Sequence, residues 1–138
     1  CLLRRAGGFP DDILQVYTSI VRPTVEYACE VWHTHLTVEQ DNALEQVQRR
    51  ALSIVYPDMT YKQALAKSNL PTLKQRREDS CRNFFKAMQS EQHRSHKLLP
   101  PVRCEGTVLR KRTKYPLPKI RTERCKKTLG NYGLFNFQ

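Results

Sequence analysis

Apolar side chains recur every three or four residues through the first hundred positions of this chain, and residues that open helices stand ahead of the runs. Thr37 precedes Gln40, and Thr72 precedes Gln75. At that spacing a threonine hydroxyl and a glutamine side chain can each satisfy a backbone N–H at a helix start. Thr60 stands in the same place before a shorter run. A strand would instead alternate apolar and polar residues with a period of two. The pattern therefore predicts a mainly α fold: a small bundle of about four amphipathic helices.

The first run starts at Pro10, where a missing N–H costs nothing, and Asp11 and Asp12 fall in the first turn, favourable to the helix dipole. Ile13, Tyr17, Ile20, Thr24, Ala28 and Val31 follow at helical spacing, with Leu14, Val21, Val25 and Trp32 widening the stripe. Pro23 lies inside this run, so a kink or break is expected near Arg22. Tyr27 and Trp32 read as core anchors, and Cys29 and Cys81 as small buried hydrophobes. The second helix opens at Thr37, buries Leu44, Val47, Ala51, Leu52, Ile54 and Val55, and stops at Pro57-Asp58. Glu45 and Arg49 sit four apart on it and are expected to pair on its surface. A short third helix covers residues 61–67, with Ala64 and Leu65 inward, and Asn69-Leu70-Pro71 forms a turn. The fourth carries Leu73, Cys81, Phe84, Phe85 and Met88 on one face and Lys74, Arg76, Arg77, Glu78 and Arg82 on the other. Residues 93–101 read as a loop closing on Leu98-Leu99.

Charge divides the chain further. Of 138 residues with a net charge of +11, residues 1–102 hold 14 Lys and Arg against 11 Asp and Glu, and residues 103–138 hold 10 against 2. That last segment contains Pro116 and Pro118, few aliphatic residues and no helical period, so an irregular basic tail is expected. Residues 1–9, with Gly7-Gly8, read as a lead-in, 10–102 as the helical domain and 103–138 as the tail. The tail bases are Arg110, Lys111, Arg112, Lys114, Lys119, Arg121, Arg124, Lys126 and Lys127, interleaved with Tyr115 and Tyr132. Such a segment suits a polyanion, nucleic acid first, with the tyrosines able to stack on bases. A solubilising end would show the same composition. On the helices, Arg49-Arg50 and Arg76-Arg77 are candidates for contact with a phosphate backbone, or for a solvated face with Glu45 and Glu78 as partners. Adjacent helical residues point about 100° apart, so at most one of each pair faces a given groove.

Other classes are excluded or disfavoured. No apolar run approaches the ~20 residues of a membrane span. Arg4 and Arg5 are followed by Ala6-Gly7-Gly8 rather than by the apolar stretch of a signal peptide. Five widely spaced cysteines without a Cys-x-x-Cys pair argue against a disulfide framework and for a reducing compartment, nucleus or cytoplasm. Cys29 with His33 and His35, and His93 with His96, fall short of a structural zinc set. A first residue that is Cys rather than Met leads to the expectation of a piece cut from a longer chain.

Several short motifs follow one another in a definite order along the chain. Tyr17-Thr18-Ser19-Ile20-Val21-Arg22-Pro23-Thr24-Val25-Glu26-Tyr27-Ala28 comes first. Val31-Trp32-His33, Leu36-Thr37 and Val47-Gln48-Arg49-Arg50-Ala51 continue it. Tyr61-x-x-Ala64-Leu65, Leu70-Pro71-Thr72-Leu73-x-x-Arg76-Arg77 and Phe84-Phe85 come next. His96-Lys97-Leu98-Leu99-Pro100, Leu109-Arg110 and Thr122-Glu123-Arg124 close the series. In this order the motifs resemble the segment following the palm in LINE-type (non-long-terminal-repeat) retrotransposon reverse transcriptases; the resemblance covers roughly residues 9 to 138 and implies a helical thumb that holds the template–primer duplex, RNA or DNA, against the palm. It also implies that the palm, with its Mg²⁺-binding aspartates, lies upstream as the partner of this chain. Asp11-Asp12 is the only aspartate pair here, and it reads as a helix start, so no catalytic residue, no metal ligand and no cofactor is expected in this chain. A stand-alone helical interaction or RNA-binding protein derived from such an element is the second expectation. An exposed apolar face would favour the first, and cooperative melting as a defined species the second.

Overall fold

Pro23 is accommodated by widening the helix ahead of it. The computed structural model describes residues 7–102 and 114–137. Helix α1 (Pro10–Val16) runs into a π-helical turn, Tyr17–Val21, and α2 (Arg22–Glu26) continues from that turn. A proline ring crowds the carbonyl four residues back, and the wider turn relieves that position. The Thr18 and Ser19 hydroxyls donate to the Gln15 carbonyl at 3.1 and 2.7 Å, and the Thr24 hydroxyl to the Ile20 carbonyl at 2.7 Å. The irregularity expected near Arg22 thus falls one turn earlier.

The wide turn also rotates α2 by roughly 100° relative to a continuous α-helix, because it adds a residue. That rotation corrects the apolar stripe drawn through this run. Ile13 and Tyr17 are buried, whereas Ile20 is 62% and Tyr27 80% exposed. Tyr27 is therefore no core anchor, and Trp32 is only half-buried. Ala28 breaks the chain direction with a φ of +51°. Helix α3 (Cys29–Trp32) and a 3-10 turn, His33–His35, come next.

The three helix starts drawn from threonines are present. At α4 (Val38–Val55), Gln40 N–H donates to the Thr37 hydroxyl at 3.2 Å while Thr37 N–H donates to Gln40 Oε1 at 3.0 Å. At α5 (Tyr61–Ser68), Thr60 N–H donates to Gln63 Oε1 at 3.0 Å, and left-handed Asn69 ends the helix. At α6 (Leu73–Met88), Gln75 N–H donates to the Thr72 hydroxyl at 3.2 Å. A 3-10 turn, Arg94–Leu98, occupies part of the expected loop. The tail differs from expectation: α7 (Glu123–Lys126) and α8 (Leu129–Asn136) are helical where the sequence carries no helical period. The fold is mainly helical, with no strand among the described residues.

The described residues form two compact units, 7–28 with 36–77, and 29–35 with 78–102 and 114–137. In the first, Ile13, Tyr17, Leu52, Val55, Ala64 and Leu73 are buried together with two polar side chains, Gln48 and Arg77. The buried face of α4 is Gln48, Leu52 and Val55, continued toward the N-terminus by half-buried Asp41 and Glu45. Val47, placed inward by the apolar pattern, is 38% exposed.

In the second unit, Phe85, Tyr115 and Leu134 form a core with Leu99 and Phe137 against it. Gly133 lets α8 lie directly on Phe85: a Cβ there would overlap the Phe85 ring. Cys29, Cys81 and Met88 are also buried, as the stripe on α6 and the cysteine readings required. No helix among the described residues is long and apolar enough to cross a membrane.

Candidate nucleic-acid interface

The polar stripe on α4 decides which arginines can meet a phosphate. Asp41 takes the guanidinium of Arg77, whose side chain is 0% exposed, and Lys74 Nζ lies 3.8 Å from the same carboxylate. Glu45 takes the Tyr61 hydroxyl on one oxygen and the Leu73 N–H, at 3.1 Å, on the other. Gln48 accepts from the Tyr17 hydroxyl at 2.8 Å and donates to the Tyr61 hydroxyl at 3.2 Å and the Pro71 carbonyl at 2.9 Å. A buried polar side chain is tolerated only with such partners.

Arg77 is therefore withdrawn from the set of candidate phosphate contacts. Its partner Asp41 lies 36 residues away in sequence, out of reach of any local reading. Arg76 is also committed: its Nε donates to both oxygens of the 12%-exposed Glu26, at 2.8 and 3.0 Å. Glu45 does not pair with Arg49 as expected, because Tyr61 and Leu73 occupy it. Glu78 faces Arg82 at 3.9 Å rather than either of the paired arginines.

Arg49 and Arg50 remain exposed in the first unit. The Arg49 guanidinium lies over the Tyr61 ring, 4.9 Å from its centroid, which holds the stem while leaving donors outward. Burial, and then the hydrogen bond to Glu45, push the Tyr61 hydroxyl up to about 12. Burial likewise raises that of Tyr17.

In the second unit Lys114, Lys119, Arg121, Arg124, Lys126 and Lys127 are all exposed, and no carboxylate among the described residues pairs with them. Arg110, Lys111 and Arg112 lie outside the described residues. The α7–α8 corner that carries the last of these bases is fastened by its backbone. The Thr34 hydroxyl donates to the Lys127 carbonyl, and the Thr128 hydroxyl and Asn131 Nδ2 both donate to the Cys125 carbonyl at 2.8 Å.

The aromatic partners differ from those expected. Tyr115 is buried in the core and offers no open face, and half-buried Tyr132 packs edge-on against Phe137 with centroids 5.5 Å apart. Burial raises the Tyr132 hydroxyl above its usual range. Phe135, which no sequence pattern singles out, is 37% exposed. It lines a cleft of about 340 Å³ with Pro118, Ile120, Arg121, Thr122, Glu123 and Lys126. Its position depends on α8, and no local signal marks that helix.

Asp11 and Asp12 sit exposed in the first turn of α1, as the helix-start pattern requires. No group of three or more His, Cys, Asp and Glu side chains suited to a metal ion occurs among the described residues. Comparison with protein-family models, curated proteins and solved structures returns no match to this chain.

Proposed function

We propose that this chain is a non-catalytic, thumb-like part of a LINE-type retrotransposon reverse transcriptase. In this reading a small bundle of four amphipathic helices and a basic tail hold the template–primer through phosphate contacts. The observation that carries it is the run of exposed bases over residues 114–127, with Glu123 the single acid among six lysines and arginines. Charge so arranged binds polyanions without reading sequence. The ordered series of motifs from Tyr17 to Arg124 supplies the family. Exposed apolar side chains in the first unit, Phe9 at 74%, Ile20 at 62% and Val38 at 78%, suit a surface that a palm would cover. Mg²⁺ and its aspartates belong to that palm, and five widely spaced cysteines without a Cys-x-x-Cys pair suit a reducing nucleus or cytoplasm.

A second reading, a stand-alone helical or RNA-binding protein, is favoured by the Phe85–Tyr115–Leu134 core, which gives the second unit its own packed interior. A single cooperative melt of the isolated chain as a monomer or defined oligomer would support it. Aggregation relieved by co-expressing a palm would support the first.

Binding itself is tested by fluorescence anisotropy with a labelled primer–template duplex across ~50–200 mM salt. Five or so engaged phosphates give a slope of about −4 to −5 in log K against log salt. Changing Lys119, Arg121, Arg124, Lys126 and Lys127 together to glutamine, which spares the packing of Tyr115, Leu134 and Phe137 on Phe85, should flatten that slope most. An unchanged slope moves the contact to Arg49 and Arg50. A flat slope in the full chain, or no binding at low salt, overturns the reading.

A further inference from the structure

The cleft in the second unit has a make-up that phosphate binding alone does not call for. Its walls are Pro118, Ile120 and the ring of Phe135, and its charged lining is Arg121, Lys126 and Glu123. At about 340 Å³ it falls at the small end of ligand sites, which run from roughly 300 to 1,000 Å³. That space suits one nucleotide and is too small for a duplex. A base inside a duplex has both faces covered by its neighbours, so only an unpaired base can lay its face on a side-chain ring.

We propose that this cleft is a subsite for a single unpaired nucleotide, with the base on Phe135 between Pro118 and Ile120 and its phosphate on Arg121 and Lys126. The inference rests on the reading of this chain as a nucleic-acid binder and adds a ligand form to it. The Lys126 ammonium lies over the Phe135 ring, 5.5 Å from its centroid, so a stacking base takes the place of that cation, and the flexible lysine stem lets the ammonium follow the phosphate. The Thr122 hydroxyl accepts from Cys125 N–H at 3.3 Å and keeps its own O–H to donate. Glu123 gives the site direction. A carboxylate repels phosphate and only accepts hydrogen bonds, so it turns the phosphate toward the two cations and leaves its own side to an amino group of the base. Phe135 holds the ring in place from α8, whose seat on Phe85 is fixed by the bare backbone at Gly133.

The test compares two labelled single strands of equal length and charge, one normal and one with abasic sugars at its centre, by anisotropy on the full chain at low salt. The normal strand should bind at least about fivefold tighter, the share a stacked base supplies. Phe135→Leu keeps apolar volume and should bring the two strands to parity, while Phe135→Tyr should keep the preference. Pro118→Glu fills the cleft with an anion from a half-buried position outside α8 and should also erase the preference, which covers the case in which Phe135→Leu disturbs α8. Parity in the unaltered chain, or a preference that survives both Phe135→Leu and Pro118→Glu, overturns the subsite while leaving duplex binding standing. Failure of both strands and of the duplex to bind overturns the nucleic-acid reading and the subsite with it.

Discussion

Gln48 makes three of the four hydrogen bonds its amide can make, and all three cross between elements. Tyr17 supplies one of them into a site where Gln48 is 0% exposed. Tyr17→Phe removes the donor and leaves a buried acceptor without it, at a cost of about 1–3 kcal/mol read from chemical denaturation. The same network sets an alkaline limit. The Tyr61 hydroxyl is raised from 10.0 to about 12 and that of Tyr17 moves the same way, so the fold favours the neutral phenols. Their stabilising contribution is complete below the unfolded value and is lost as pH rises through the folded one. Melting temperature should therefore fall between pH 10 and about 12, and fall less steeply in Tyr17→Phe. Parallel pH profiles in the two proteins would refute the assignment.

Among the elements, α8 shows how one residue decides packing. Gly133 has no room for a Cβ, because the Phe85 ring occupies that space. On an open helix Gly→Ala is worth up to about 1 kcal/mol in favour of alanine, but here overpacking of about 1–3 kcal/mol opposes it. Gly133→Ala should destabilise the chain, whereas Gly130→Ala, with Met88 Cε at an ordinary 3.9 Å, should not. Thermal melts of both variants check this, and equal effects would remove the close approach as the cause. The same glycines explain why α8 is hidden from a reading of the sequence: Gly130 and Gly133 are poor helix formers, and the reason for Gly133 lies on another element. The starts at Thr37 and Thr72 are legible because a cap and its partner sit three residues apart, and that at Thr60 because a capping residue precedes the run. The polar face of α4 is not, because Gln48 meets Tyr17 across 31 residues and Glu45 meets Leu73 across 28. A pattern of apolar residues sends such polar positions outward. The candidate interface is legible to the same extent: the bases of residues 114–127 stand out by local charge, while Phe135 and the loss of Arg76 and Arg77 depend on pairings across the fold.

Across the whole molecule, the net charge of +11 is carried on a surface whose acids are partly consumed within. Glu26 and Asp41 hold Arg76 and Arg77, so of the candidate phosphate contacts among the described residues those left outward are Arg49, Arg50 and the bases from Lys114 to Lys127. The inward-facing carboxylates and amide of α4 carry a thermodynamic consequence of their own. Heat capacity rises on unfolding when apolar surface meets water and falls when polar surface does. An interior built in part from Asp41, Glu45, Gln48 and Arg77 offsets its own hydrocarbon signal when it opens. Scanning calorimetry should return a heat-capacity increment below the usual ~12–15 cal/mol/K per residue. A value at or above that range would count against a polar interior. With a small increment the stability curve flattens, and the chain loses little stability on cooling.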